Sequence, residues 1–172
     1  MRSKTATASF RLDEGALIAL QEDAKKQNVS VNTLINQLIL TYANYDRPMK
    51  RFHMVKVSAS SLRHILGAAK NETIIEAGHL AGSDGPKTSI LARSGELTAD
   101  SALNYLKTMG IYSALFEYSD VMHGGKVSVT LTHDFGPKGS LFLQEYVRAI
   151  FEPIGRPLKF QGDENAVLFE LE

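Results

Sequence analysis

Residues 5–45 of the chain read TATASFRLDEGALIALQEDAKKQNVSVNTLINQLILTYANY. The first part of this stretch, Thr5 to Leu12, alternates between polar and apolar side chains, which is the period of an extended strand. The polar face holds Thr7, Ser9 and Arg11. The apolar face holds Ala8, Phe10 and Leu12. The alternation therefore predicts a short amphipathic strand.

Two amphipathic helices are predicted after this strand. Asp13 can cap a first helix, and acidic side chains in its first turn complement the helix dipole. Asn28 tolerates the left-handed backbone that often closes a helix. Ser30 can cap a second helix, and Pro48 cannot continue it, so a domain boundary is expected near residues 47–50. The apolar stripe of the second helix is formed by Leu34, Ile35, Leu38, Ile39 and Tyr42.

The apolar side of this strand-helix-helix unit is expected to need a second copy of the chain. One isolated strand has no ladder partner, and the unit is too small to bury its own apolar faces. Two chains would solve both problems if their strands paired around a twofold axis above a shared helical core. The residues predicted in this dimer core are Phe10, Leu12, Leu20, Leu34, Ile35 and Leu38.

The order of strand, Asn28 turn, Ser30 cap and second apolar helix resembles the ribbon-helix-helix family of DNA-binding repressors. In that family two strands pair into a ribbon that enters the major groove, where outward side chains touch base edges. The resemblance implies that the base-reading side chains are Thr7, Ser9 and Arg11. It implies that the second helix contacts a phosphate through Ser30, Val31 and Asn32. Asn36 replaces a basic residue common in the family, which implies weaker non-specific attraction to DNA.

Composition and charge set limits on the class of protein. The 172 residues are 44% hydrophobic and 22% charged, with no net charge and no cysteine. Residues 1–51 hold eight Lys or Arg against five Asp or Glu, a net +3, which leaves −3 for the remainder. This asymmetry weakly favours DNA contact by the N-terminal part. Because no apolar run could form a membrane span or a secretory core, a soluble, cytoplasmic protein is expected.

The whole chain is predicted to be α+β in two domains. Residues 1–47 would form the ribbon-helix-helix domain, an intertwined dimer, and residues 48–172 an α+β domain with an antiparallel sheet. Strands are expected at 52–58, 112–118, 126–133, 158–161 and 166–171, with hairpins through His123-Gly124-Gly125 and residues 162–165. Helices are expected at 60–70 and 72–80, from Thr98 or Asp100 to 109, and from Pro137 to 150, with a loop at 82–86.

The segment 133–160 reads HDFGPKGSLFLQEYVRAIFEPIGRPLKF and lies between a predicted strand pair and a last strand. It is similar to the small-molecule-binding domains of the 4-vinyl-reductase-like and haem-nitric-oxide-binding class. That class commonly has cysteines near its end, and this chain has none. The resemblance implies a pocket between the helices and the antiparallel sheet, and hence a small-molecule effector.

Patterns typical of catalysis or of a metal centre are missing from the sequence. The five histidines are scattered, without the spacing of a ligand pair. His133 and Asp134 are the candidates for a metal or ligand contact; alternatively, Asp134 caps the next helix and Gly136 makes the turn. The serines considered as nucleophiles lack the surrounding motif that would activate them. The chain is therefore predicted not to be an enzyme, and its sequence identifies no cofactor.

The leading hypothesis is a homodimeric, sequence-specific DNA-binding transcriptional regulator whose residues 48–172 sense a ligand or build higher oligomers. The alternative is a protein-interaction module, such as an antitoxin or an assembly factor, that is dimerised by its N-terminal domain. Selective binding of an operator that depends on Arg11 would separate the two hypotheses.

Overall fold

A computed structural model describes residues 6–171, and these divide between Ala43 and Asn44 into two compact units. The N-terminal unit contains two helices, α1 at Glu14–Lys26 and α2 at Val31–Thr41. Residues 6–13 belong to no helix or strand. Every strand of the described chain lies in the C-terminal unit.

The predicted N-terminal ribbon is therefore wrong. Where a strand was expected, residues 6–12 are exposed and unpaired, and Thr5 lies outside the described residues. A strand needs a ladder partner for its backbone groups, and this unit provides only helices. The α+β class is confirmed, but the N-terminal unit is helical and the sheet is confined to the C-terminal unit.

The helix-end signals predicted at Asp13, Asn28 and Ser30 are confirmed, whereas the stop predicted at Pro48 is wrong, because helical turns continue from α2 through Arg47–Met49. An Asp13 carboxylate oxygen accepts a hydrogen bond from the Ala16 amide at 3.2 Å. The Ser30 hydroxyl oxygen accepts from the Thr33 amide at 3.0 Å. Asn28 has a φ of 54°, the left-handed geometry expected of it. These local features were predictable because capping depends on near neighbours in sequence.

The C-terminal unit combines four long helices with one antiparallel sheet. Short helical turns at Tyr42–Asp46, Arg47–Met49 and Lys50–Phe52 lead into it. The long helices are α3 at Ala59–Ala68, α4 at Asn71–Ser94, α5 at Ala99–Tyr112 and α6 at Gly136–Phe151. The strands are β1 at Glu117–His123, β2 at Lys126–Thr132, β3 at Leu158–Gly162 and β4 at Ala166–Leu171. A further helical turn at Glu152–Ile154 precedes β3.

The sheet has the order β1-β2-β4-β3, with every neighbouring pair antiparallel. Val129 pairs with Phe169 and Leu131 with Val167, and all four side chains are fully buried. Strand periodicity places them on one face, against α5 and α6, so this face forms the main core. The predicted hairpins at 123–125 and 162–165 are confirmed.

The loop predicted at residues 82–86 is wrong, because these residues are part of helix α4. A loop was expected at residues 82–86, yet the helix continues through them to Ser94. Gly78 and Gly82 lie directly against the α6 backbone, where a Cβ atom would collide with the carbonyl oxygens of Phe142 and Tyr146. Pro86 follows Gly85, which has no Cβ to clash with the proline ring in a helical conformation. Packing on α6 thus outweighs the helix-breaking tendency of these residues.

Two further differences concern segment boundaries. Residues 54–58, expected in a strand, form no regular element and are exposed. The strand expected at 112–118 begins only at Glu117, because α5 extends to Tyr112. No helix within residues 6–171 is both long enough and apolar enough to cross a membrane.

Candidate functional site

A cavity of about 390 Å³ lies within the C-terminal unit. Its walls come from α3, α4, α5 and α6, from residues 49–54, and from the positions flanking β1 and α6. No strand residue lines it, so it lies among the helices and not between the helices and the sheet. Its volume falls within the range of about 300–1,000 Å³ that is typical of small-molecule sites.

The cavity walls are almost entirely apolar. Of the sixteen lining residues, Ser89, Tyr105 and Tyr146 alone have polar side-chain atoms, and none is charged. The larger apolar side chains are three phenylalanines and three methionines: Phe52, Phe135, Phe142, Met49, Met54 and Met109. Methionine side chains are flexible and polarizable, so this wall can adapt to the shape of a bound molecule.

Small residues on α4 leave this space open. Ala81, Gly85, Pro86 and Ser89 form the part of the wall that α4 contributes, together with Leu80. The same helix needs residues without a side chain at Gly78 and Gly82 to approach α6 closely. One set of small residues therefore allows α4 to approach α6 closely, and a second set leaves room for an occupant.

Two tyrosines provide a polar point in this apolar wall. The hydroxyl oxygens of Tyr105 and Tyr146 are 3.0 Å apart, and both side chains are buried. Burial raises the pKa of Tyr105 to about 12 and raises that of Tyr146 well above its usual range. Both hydroxyls are therefore protonated at neutral pH and can donate hydrogen bonds. The Tyr146 ring also stacks on Phe142 at a centroid distance of 6.3 Å.

His133, predicted as a candidate ligand, supports the wall of the cavity. Its Nδ1 accepts a hydrogen bond from the Phe135 amide at 3.1 Å, which places the ring proton on Nε2. Nε2 then donates to the Ser140 hydroxyl at 3.0 Å, and Ser140 donates to the Asp163 carbonyl oxygen at 2.6 Å. The imidazole also stacks on the Phe135 ring, which lines the cavity. Both ring nitrogens are thus engaged: Nδ1 positions the Phe135 amide, and Nε2 anchors the ring to Ser140.

Asp134 does not take the cap position that the sequence favoured. The start of α6 has no side-chain cap from its own sequence neighbours. The Gly136 amide instead donates to Asn165 Oδ1 at 3.1 Å, and Gly136 has a φ of 72°. The predicted turn at Gly136 is confirmed, whereas the Asp134 cap is wrong. Among residues 6–171, no three His, Asp or Glu side chains are grouped to hold a metal ion.

The residues predicted to contact DNA lie in the N-terminal unit. Thr7, Ser9 and Arg11 are all exposed in the irregular segment before α1. Val31 and Asn32 lie in the first turn of α2, ahead of its first intrahelical bond, which joins the Leu34 amide to the Ser30 carbonyl. Their amide groups therefore have no intrahelical partner.

The charge of the N-terminal helices is not basic. Residues 6–43 contain three basic side chains, Arg11, Lys25 and Lys26. They contain four acidic side chains, Asp13, Glu14, Glu22 and Asp23, so the net charge is −1. The excess of +3 in residues 1–51 consequently lies at the two ends of that stretch. Attraction to phosphate would depend on Arg11 and on Arg2 and Lys4 before it.

The predicted dimer core is only partly covered in the single chain. Leu34 is buried, and Leu20 and Ile35 are half-buried. Phe10 is 56% exposed, Leu12 43% and Leu38 52%. Ile18, Ile39 and Leu40 are also exposed, so the apolar surface is larger than the sequence pattern predicted.

Comparison with known proteins finds no matching family model and no significantly similar curated protein. The function is therefore inferred from the side chains that the fold brings together. The tyrosine pair was missed from the sequence because Tyr105 and Tyr146 are forty-one positions apart. The helix predicted from Pro137 to 150 includes Tyr146, but nothing in its sequence indicated a partner on α5.

Proposed function

We propose that this protein is a small-molecule sensor that regulates DNA binding as a homodimer. The apolar cavity in residues 44–171 carries the proposal, because it opens to solvent beside the exposed Met54 and Leu80, and an occupant would remove its apolar walls from water. The volume and the single polar point match the common design of ligand sites, in which few polar groups orient an apolar molecule. A DNA-binding role implies a cytoplasmic location, which is part of the proposal.

The homodimer is supported by the N-terminal unit. Its two helices leave Ile18, Leu38 and Ile39 each at least half exposed, with Leu40 exposed beside them. Exposed apolar clusters of this kind mark interaction surfaces. A second copy of the chain is the proposed partner, since it is present wherever the first is and would bring a matching apolar surface.

DNA contact is supported by the placement of Arg11 and the start of α2. Arg11 is exposed and can donate two hydrogen bonds to a guanine edge. The first-turn amides of Val31 and Asn32 can donate hydrogen bonds to a phosphate oxygen. Since the helices themselves carry a net charge of −1, binding should rest on few phosphate contacts and depend only modestly on salt.

Selection of bound fragments from genomic DNA tests this proposal. The wild-type chain should enrich a common sequence at moderate salt, and Arg11→Ala should lose that enrichment while remaining dimeric in sedimentation equilibrium. Arg156→Ala removes the same charge from the other unit and should leave enrichment unchanged. Failure of the wild-type chain to enrich any sequence would refute the DNA-binding part.

A protein-interaction module is the second candidate function. The exposure of Ile39 and Leu40 on α2 favours it, because apolar side chains can bind a partner protein as readily as a second copy. As a module dimerised by its N-terminal unit, this candidate predicts a dimer without sequence-selective DNA binding. The selection experiment therefore distinguishes the two functions.

A further inference from the structure

We infer that the cavity binds a neutral, largely apolar ring compound carrying one hydrogen-bond acceptor, which the Tyr105–Tyr146 pair recognises. This inference rests on the proposed role of the cavity as a ligand site and specifies the chemistry of its occupant. It is supported by the hydrogen-bonding capacity of the two hydroxyls, the absence of charge in the lining, and the shape of the walls.

The hydrogen bond between the two tyrosine hydroxyls uses only one of their two protons. Each hydroxyl is a donor, and the 3.0 Å contact between them consumes one of the two protons. Within residues 6–171, neither hydroxyl makes another hydrogen bond, so the second proton has no acceptor among the described side chains and backbone groups. An unmatched donor in an apolar environment is costly, and an acceptor on an occupant would satisfy it.

The lining favours a neutral occupant. No lining residue carries a charge, and the two cations that act on lining residues lie behind the wall: Arg51 Nη2 is 3.4 Å from the Ser89 hydroxyl, and Arg93 lowers the pKa of Tyr105 against the larger effect of burial. Arg51 does not itself line the cavity, and its guanidinium lies over the Phe52 ring. A carboxylate in this space would lose its hydration without gaining a paired charge. A ketone, ester or ether oxygen meets the requirement at lower cost.

Aromatic walls favour a ring. Phe52, Phe135 and Phe142 lie around the cavity, and the near-parallel stack of Phe142 on Tyr146 presents flat faces next to the hydroxyl pair. Flat apolar molecules pack well on such faces. The cavity volume is near the lower end of the usual range, which favours a compact molecule.

Acetophenone and α-methylstyrene form a matched pair of probes for this inference. They have the same shape, but acetophenone has a carbonyl oxygen where α-methylstyrene has a methylene group. Because the two differ in hydrophobicity, the informative quantity is the ratio of their Kd values and how that ratio changes between variants. Benzoate serves as the charged probe and should show no saturable binding.

The tyrosine variants give a specific signature in calorimetric titrations. Tyr105→Phe and Tyr146→Phe should each keep the wild-type ratio within about twofold, because one hydroxyl still donates. The double variant removes both donors and should reduce the preference for acetophenone about fivefold to tenfold. Tyr118→Phe is the control, since Tyr118 packs beside Gly110 and does not line the cavity. It should leave the ratio unchanged.

Two different results would overturn the inference. If both probes bind the wild-type chain and the double variant keeps the wild-type ratio, the acceptor is not recognised by the tyrosines and this inference alone fails. If neither probe binds the wild-type chain, the cavity is not a ligand site, and the proposed sensing function fails with it.

Discussion

The properties of His133 follow from its neighbours in space and not from its neighbours in sequence. Its Nδ1 accepts the Phe135 amide while its Nε2 donates to Ser140, so the neutral ring satisfies both contacts. Burial lowers the pKa of His133 from its ordinary value of 6.5, although Asp134 and Asp163 oppose that shift. The sequence identified His133 as a residue of interest, but the contact with Ser140 and its link to Asp163 depend on tertiary packing.

Protonation of His133 should destabilise the native protein. The native pKa is lower than the unfolded one, so the unfolded chain binds more protons once the pH falls below about 6.5. The contribution to the free energy of unfolding should be complete above that pH and decrease as the pH falls towards the native pKa. Urea denaturation between about pH 8 and pH 5 should reveal this decrease.

His133→Gln is the matched variant for this measurement. It should be less stable at neutral pH by about 1–3 kcal/mol, because the Phe135 amide loses its acceptor. It should also have a shallower decrease towards low pH than the wild-type chain. Equal pH slopes for the two proteins would show that the pKa of His133 is the same in the native and unfolded chains, contrary to the lowered native pKa.

Among the helices and strands, α4 shows where prediction from adjacent residues fails. The Ser30 cap and the Gly124-Gly125 hairpin were predictable because each depends on a few adjacent residues, whereas the helix at Gly136 is capped from Asn165, which is distant in sequence. The Gly-Ser-Asp-Gly-Pro segment has the local composition of a loop, and it is helical only because α6 lies against it. The four-residue spacing in α4 was the available signal; its buried members are Ile74, Gly78, Gly82, Pro86 and Ile90.

The close approach of α4 and α6 should be sensitive to one methyl group. Gly82→Ala places a Cβ atom against the Tyr146 carbonyl oxygen, so the helices must separate. We expect a loss of about 1–3 kcal/mol in the free energy of unfolding, despite the better helix propensity of alanine. Denaturant titration measures this change.

Gly67→Ala is the control, because a Cβ at Gly67 in α3 meets no atom within 4 Å. It should raise the free energy of unfolding by up to about 1 kcal/mol through helix propensity. Two stabilised variants would mean that α4 and α6 do not pack through Gly82.

For the molecule as a whole, the structure of the N-terminal unit could be predicted only in part from the sequence. The alternating residues 5–12 predicted a strand, but a strand depends on pairing that the single chain lacks, and the described segment is irregular. The resemblance implied a pocket between the helices and the sheet, and a pocket bordered by Glu117 and Thr132 does lie where helices meet the sheet. The apolar cavity instead lies among helices whose relative positions depend on Gly78 and Gly82. The small residues that create it are ordinary in sequence and significant only in the folded unit.

The central claim is that the cavity binds a small apolar molecule, and Ser89→Leu tests it. Ser89 is buried and lines the cavity, so a leucine side chain at this position would fill part of the cavity that we propose as the ligand site. The variant should fold with wild-type stability or better, because it buries more apolar surface. Thr88→Leu, on the exposed side of α4, is the matched control.

Calorimetric titration with acetophenone is the most direct measurement. The account predicts saturable binding, one molecule per chain, to the wild-type protein and to Thr88→Leu, and at least tenfold weaker binding to a folded Ser89→Leu. Indistinguishable titrations for the wild-type protein and Ser89→Leu would contradict the account, because the molecule would then bind somewhere other than this cavity.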